Sequence, residues 1–338
     1  MQWQTFKQVS LSTALASALS LLSGCAASPH NPAEKYVLIA ANTKVAYWQT
    51  AFAGLNRAAL EMKVKAEMDG PDSYDPQAEH QDFLRAVQQK PSGILVSAAD
   101  AALLTPDINS ALAQGVPVIT IDSDAPDSKR LFFVGTDNYK AGTLGGRLVA
   151  KLLNGRGNIA VFTLPNQPNL KDRLRGYQDA LADHPDIKIS EIVDMKGDPT
   201  VAFDSARRLL EGKPKIDAFV CLEAISCPEV GDVVNRENMG GKVTIVAMDT
   251  DQRTINWIQK GVISATIAQK PFTMAYYGAK LVDDLHHHPP TPLTANWAED
   301  PSAPIPTFVD TGAFVVDKSN VQSFLQSSHE GGGTSQAQ

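Results

Sequence analysis

The chain has 338 residues, 43% of them hydrophobic and 20% charged, with 30 basic residues against 37 acidic ones. That length suits two domains or one large one, and the apolar content is ample for packed cores. The acidic balance argues against a nucleic-acid partner, and the composition is that of an ordinary soluble protein.

The first segment breaks that pattern. "MQWQTFKQ" carries one Lys and no acid, and an apolar run follows from Val9 to Leu22. The run is too short for a spanning helix, and residues 1–24 read as a signal peptide. Its end, Leu22, Ser23, Gly24 and Cys25, resembles the bacterial lipobox, in which the Cys is acylated and becomes the first mature residue. Cys25 is therefore expected to carry lipid, with residues 25–34 as the tether; a chance Cys after an ordinary signal peptide is the plainer alternative. Removing residues 1–24 takes away Lys7 and no acid, which leaves 29 basic against 37 acidic residues. Cys221 and Cys227 remain, in a compartment where disulfides are permitted. Either they pair, or Cys221 is a small core residue beside an unrelated thiol.

From residue 36 the chain alternates strand and helix signals. Apolar and β-branched runs predict strands at 36–41, 93–98, 116–122, 131–135, 158–164, 187–195, 217–223, 243–249 and 263–269. Amphipathic patterns between them predict helices, among them 75–89, 141–155 and 203–212. Repeated β-α units with near-continuous apolar strands imply parallel sheets covered by helices on both faces. About nine strands in one sheet would be wide for this length, so the expected fold class is α/β, with two doubly wound parallel-sheet lobes. The chain is expected to cross between them near residues 130–140 and again after Ala268 and Gln269. The expected division is 35–136 plus 270–302 for the N-terminal lobe and 137–269 plus 303–325 for the C-terminal lobe. "TFVDTGAFVVDKSNV" offers a last extended segment, and residues 326–338 read as a disordered tail.

In open parallel sheets, ligands bind outside the carboxyl ends of the strands. The residues there are Asn42 to Trp48, Asp122, Glu223, Asp249 and Gln269, each polar or aromatic after an apolar run. Taken singly, Asp122 and Asp249 suit helix caps or turns, because their oxygens accept orphan N–H groups. Gln269 is not a favoured cap, and Pro271 opens the next helix. Carboxylates with an amide suit a hydroxyl-rich ligand, since Asp accepts from OH groups and Gln both donates and accepts. Tyr47 and Trp48 would lay flat faces against the C–H face of a ring, or pack the lobe. Arg173, in "NLKDRLRGYQDAL", stands near a helix start where a guanidinium can fork onto adjacent hydroxyls. Its plainer reading is a solvated helix face, which suits Lys171 and Arg175.

Four segments in order, "YWQTAFAGLNRAA", "GVPVITIDSD" with "VGTDNYKAG", "DRLRGYQDAL", and "VAMDTD" with "GVISATIAQKPF", carry a family likeness. The chain resembles the type I periplasmic sugar-binding proteins, the ribose- and galactose-binding family that shares its fold with the effector domains of LacI-type repressors. The likeness spans roughly residues 35 to 320. It implies two lobes with a multi-crossing hinge, and sugar contacts at Tyr47, Trp48, Asp122, Arg173, Asp249 and Gln269, with Glu223 in place of a usual Asn. It also shows departures: Ser123 where the family often has Arg, and Asp198 near where a second-lobe aromatic is usual. These argue against simple ribose and leave an altered sugar, a cyclitol or a cationic polyol paired with Glu223.

The resemblance implies a lipid-anchored, exported protein of the cell envelope or periplasm. It would bind a monosaccharide or polyol as a monomer and present its closed form to a membrane ABC permease, or to a receptor in a sensing role. No enzyme is expected, because no G-x-S-x-G elbow, no G-x-G-x-x-G after a strand, no P-loop and no H-E-x-x-H is present. No cofactor is expected, and no catalytic residue. A repressor is ruled out by a signal peptide where a DNA-binding segment would be needed. No metal is expected at His286, His287 and His288, since three successive residues cannot share one helical face and His is favoured at a helix C-terminus.

Overall fold

The computed structural model describes residues 30–289, 297, 300 and 302–331. The signal peptide and Cys25 lie outside the described residues. In chain order the first part runs β1 (Lys35–Ile39), α1 (Ala46–Met62), β2 (Lys65–Asp69), α2 (Pro76–Gln88), β3 (Gly93–Val96), α3 (Ala101–Ala113), β4 (Val118–Ile121) and β5 (Phe133–Gly135). The second part runs α4 (Asn138–Leu152), β6 (Arg156–Thr163), α5 (Pro168–Ala182), β7 (Asp186–Asp194), α6 (Pro199–Glu211), β8 (Ala218–Cys221), α7 (Ser226–Arg236), β9 (Thr244–Met248), α8 (Gln252–Lys260) and β10 (Ala265–Ala268). The chain ends with α9 (Pro271–His287), β11 (Phe308–Asp310), β12 (Phe314–Asp317) and α10 (Val321–Gly331).

Two sheets result, ordered β11-β5-β4-β3-β1-β2 and β12-β10-β9-β8-β6-β7. Every pairing is parallel except β12 against β10. This is the α/β, two-lobe architecture expected from the strand signals. Successive side chains of a strand point to opposite faces, and β1 shows the consequence. Tyr36 and Leu38 pack with Leu55 of α1 and Met274 of α9, whereas Val37 and Ile39 pack with Phe83 of α2 and Leu104 of α3. The second lobe has its own core around Val161, Phe219, Val220 and Ile245.

The helices start where short acids can accept their orphan N–H groups. Asp75, Asp100, Asp137, Asp198 and Asp251 cap α2, α3, α4, α6 and α8 through side-chain bonds. Asp251 therefore does the capping that a sequence reading could give to Asp249.

The chain passes between the sheets at residues 136–137, 269–270 and 311–313. The first and third are bonded side by side: Thr311 N–H donates to the Gly135 carbonyl (2.8 Å), and Asp137 N–H donates to Asp310 Oδ1 (3.1 Å).

Two expectations need correction. Residues 303–310 do not go to the C-terminal lobe, because β11 pairs in parallel with β5 in the first sheet. Residues 326–331 are helical, the last part of α10, which is held by buried Val321 and by Phe324 packed on the second lobe's core. Of the two alternatives left open for Cys221 and Cys227, the unpaired one holds: both are buried free thiols. Burial raises the thiol of Cys227 well above its ordinary value. The sequence reading also omitted β2, "KAEMD", a half-buried edge strand. Among the described residues no helix is long and apolar enough to cross a membrane.

Candidate functional site

Outside the carboxyl ends of both sheets lies a cavity walled by both lobes and by the 269–270 crossing. All seven expected residues, Tyr47, Trp48, Asp122, Arg173, Glu223, Asp249 and Gln269, line it.

Asp122 follows β4 and Asp249 follows β9, and both adopt left-handed backbone, with φ of 64° and 67°. Asp tolerates that region better than most residues. The sharp turn ends each apolar strand on a carboxylate. Asp122 Oδ1 accepts from the Tyr47 hydroxyl (2.7 Å), and its Oδ2 accepts from Asn169 Nδ2 (3.1 Å) and Ser97 Oγ (3.4 Å). Asn169 belongs to the second lobe, so this bond ties the lobes together. Asp249 Oδ1 accepts from Gln269 Nε2 (2.9 Å). Gln269 thus sits where the chain recrosses and holds the acid of the preceding β-α unit.

Arg173 lies on α5 and is 2% exposed. Its placement depends on a close approach of α4 and α5: a Cβ added at Gly142 would collide with the Arg173 carbonyl. One terminal nitrogen donates to the Leu222 carbonyl, and the other to Asn138 Oδ1 and to Gln269 Oε1 (3.4 Å). Arg173 Nε and Asn169 Oδ1 are buried and have no partner among the described residues. A buried polar atom left unpaired is costly, and both of these belong to residues that wall the cavity.

The electrostatics are acidic, with three carboxylates around one guanidinium. Burial pushes the carboxyl of Asp249 up to about 7, against the pull of Arg173 and the bond from Gln269. Burial also raises Asp122, opposed by the Tyr47 hydrogen bond and by Arg173. Tyr47 is held well above its ordinary value, chiefly by burial and by Asp122.

Glu223 has a local task. Its two oxygens accept from the Ile225 and Ser226 N–H groups at the start of α7. Burial raises its carboxyl while those bonds lower it. Trp48 is buried in the first lobe's core and meets Tyr47 edge to face, with ring centroids 5.2 Å apart.

Sequence reasoning missed Tyr74, Gln167 and Asn169, which also line the cavity. Tyr74 packs against the cores of both lobes. It seats on Gly197 (φ 74°), where an added Cβ would collide with it. The first lobe thereby brings an aromatic beside the segment where the second lobe has Asp198, itself spent on capping α6. Ser123, the other departure, is buried and donates to the Ala98 carbonyl (2.7 Å). A second cleft of about 590 Å³ continues outward from Tyr74 and Leu164, past Asp100, Asp194 and Lys196.

A two-sheet α/β molecule with a polar cavity between its lobes has the architecture of an extracytoplasmic binding protein. Residues 36–287 match the family model described as periplasmic binding protein domain, and the chain belongs to that family. A solved sugar-binding protein of a sugar ABC transporter from Bacillus halodurans is 36% identical, with a TM-score of 0.77, over 86% of this chain and 100% of its own. The glucose-galactose binding protein GanP from Geobacillus stearothermophilus is 30% identical, with a TM-score of 0.77, over 86% of this chain and 99% of its own. The xylose/arabinose-binding protein XylF of Sulfolobus acidocaldarius is 24% identical over 90% of this chain and 77% of its own length.

Proposed function

We propose that this chain is an exported solute-binding protein that takes a monosaccharide or related polyol between its lobes and presents the closed form to a membrane ABC permease. The observation that carries the reading is the pair of buried, unpartnered atoms, Arg173 Nε and Asn169 Oδ1, beside Asp122, Asp249 and Gln269. One is a donor and the other an acceptor. A hydroxyl both donates and accepts, so a hydroxyl-rich guest meets both needs and also reaches the carboxylates. Trp48 and Tyr74 supply apolar faces for its C–H groups. The sugar-binding names of the similar proteins point the same way. Lobe closure around the guest is the expected motion, and binding free energy selects the closed arrangement with no catalytic step. Lipid on Cys25 would hold the monomer at a membrane, provided that more than one acyl chain is attached, because a single chain binds marginally.

The test is native mass spectrometry of gently purified protein for a co-purifying molecule, followed by calorimetry against pentoses, hexoses and inositols. One of these classes should bind one to one, and Asp249→Ala should weaken it at least about tenfold, since a hydrogen bond to a charged group contributes about 1.5–3 kcal/mol. Heats absent for all three classes, together with a co-purifying ligand that lacks hydroxyls, would overturn the reading.

A further inference from the structure

At the far end of the first lobe from the cavity, near the amino end of β1, the last turn of α9 meets the segment before the first strand. Asp283 and His287 are four residues apart and so share a helical face. His30 reaches the same carboxylate: its Nε2 lies 2.9 Å from Asp283 Oδ2, and His287 Nε2 lies 3.7 Å from Oδ1. One ligand atom from each of His30, Asp283 and His287 lies within 4.8 Å of the others. Glu34 belongs to a neighbouring cluster with His286 and His287, its Oε2 3.1 Å from His287 Nε2. The imidazoles of His30 and His287 meet edge to face, with centroids 5.0 Å apart.

A tetrahedral zinc ion with bonds of about 2.0–2.1 Å spaces its ligand atoms about 3.3 Å apart. The separations of 2.9 Å from His30 to Asp283 Oδ2 and 3.7 Å from His287 to Asp283 Oδ1 straddle that value. The carboxylate is braced, as metal ligands usually are. Asp283 is buried, and the hydroxyl of Tyr36, itself fully buried, donates to its Oδ1 at 2.7 Å. Two imidazole nitrogens suit a borderline transition metal and not calcium or magnesium, which take oxygen ligands.

We propose that His30, Asp283 and His287 form a binding site for a divalent transition-metal ion of the zinc class, with the remaining position open to water. The expectation of no metal rested on His286, His287 and His288 alone. A set drawn from one helical face plus a residue 253 positions earlier avoids that objection. The bound ion staples the segment before β1 to the end of α9, and so fixes how the first lobe leaves its N-terminal tether. The site is remote from the cavity, and the proposal does not depend on the identity of the cavity's ligand.

The test is calorimetric titration of zinc into the chain from Cys25 onward, without a histidine tag and after chelator treatment. One ion should bind per chain, with a dissociation constant of about 1 µM or tighter. His30→Gln and His287→Gln should each weaken binding by about 100-fold, and Tyr36→Phe by about tenfold, as loss of an outer-shell partner does. His30 precedes the first strand, so its variant leaves the core intact, and an unchanged metal-free melting temperature checks this. X-ray absorption of the zinc form should show nitrogen and oxygen ligands only. The proposal is overturned if wild type takes up no zinc, if both histidine variants bind it as wild type does, or if sulfur appears in the shell. In the first case the cluster is a pair of imidazole-carboxylate hydrogen bonds.

Discussion

Asp122 and Asp249 end equivalent strands of the two lobes, in the same left-handed conformation, yet they are braced differently. Asp122 accepts from three side chains, Tyr47 and Ser97 of its own lobe and Asn169 of the other. Asp249 is held by Gln269 from the crossing and by the charge of Arg173. The first lobe's acid is thus part of the contact between lobes, whereas the second lobe's acid has one side-chain hydrogen bond, from Gln269, beside the cation Arg173. Preorganisation is spread over hydrogen bonds on one side and concentrated in Arg173 on the other.

The sharpest way to break this contrast is to remove the cation. Arg173→Ala takes the nearby positive charge from Asp122, Asp249 and Glu223 and leaves the Leu222 carbonyl and Asn138 Oδ1 without their donor, and each buried group left unpaired costs about 1–3 kcal/mol. Urea unfolding should show that loss, and calorimetry should show ligand binding abolished; a variant of wild-type stability would mean that the acids are already neutral.

Gly142→Ala and Gly54→Ala form the next comparison. Each places a methyl against backbone, at Arg173 in the second lobe and at Phe272 in the first. Overpacking of this kind costs up to about 3 kcal/mol in either lobe. Only Gly142→Ala moves Arg173, so it alone should also weaken ligand binding. Equal loss of affinity in both variants would spread the site's preorganisation evenly over the lobes.

The smallest effect is on pH dependence. The folded carboxyl of Asp249, at about 7, lies above its ordinary value of 3.8. The folded form therefore binds the extra proton, and the stability this gives is present in full below pH 3.8 and lost as pH rises through about 7. Without ligand, wild type should lose about 2 kcal/mol relative to Asp249→Asn between about pH 5 and pH 7, at 1.36 kcal/mol per unit. Parallel curves for the two proteins would place the carboxyl of Asp249 in its ordinary range.

The strand ends were legible because an apolar run that stops on Asp122, Glu223, Asp249 or Gln269 is a signal in one dimension. Convergence of those ends on one cavity follows from parallel topology, so reading the strands amounted to reading the site. Tyr74 was hidden by one missed element. β2 is an edge strand of mixed charge with no apolar run, and with β2 unseen the loop after it was not searched. Gln167 and Asn169 stand four and six residues beyond β6, at the start of α5, so the rule that finds Asp249 directly after β9 reaches them only when extended through the loop after "FTL". The placement of β11 was not legible at all. Three residues, "FVD", carry no mark of the sheet they join, and only pairing with β5 decides it.

That pairing bears on how the lobes move. Because β11 lies beside β5, two of the three crossings leave the first sheet as adjacent bonded backbones, joined through Thr311 and Gly135 and through Asp137 and Asp310. Such a strap bends about one axis and resists sliding and twist. On the proposed reading, the lobes would then approach each other along a single rotational coordinate, a guest would meet the second wall already in register, and little of its binding free energy would go into ordering the lobes.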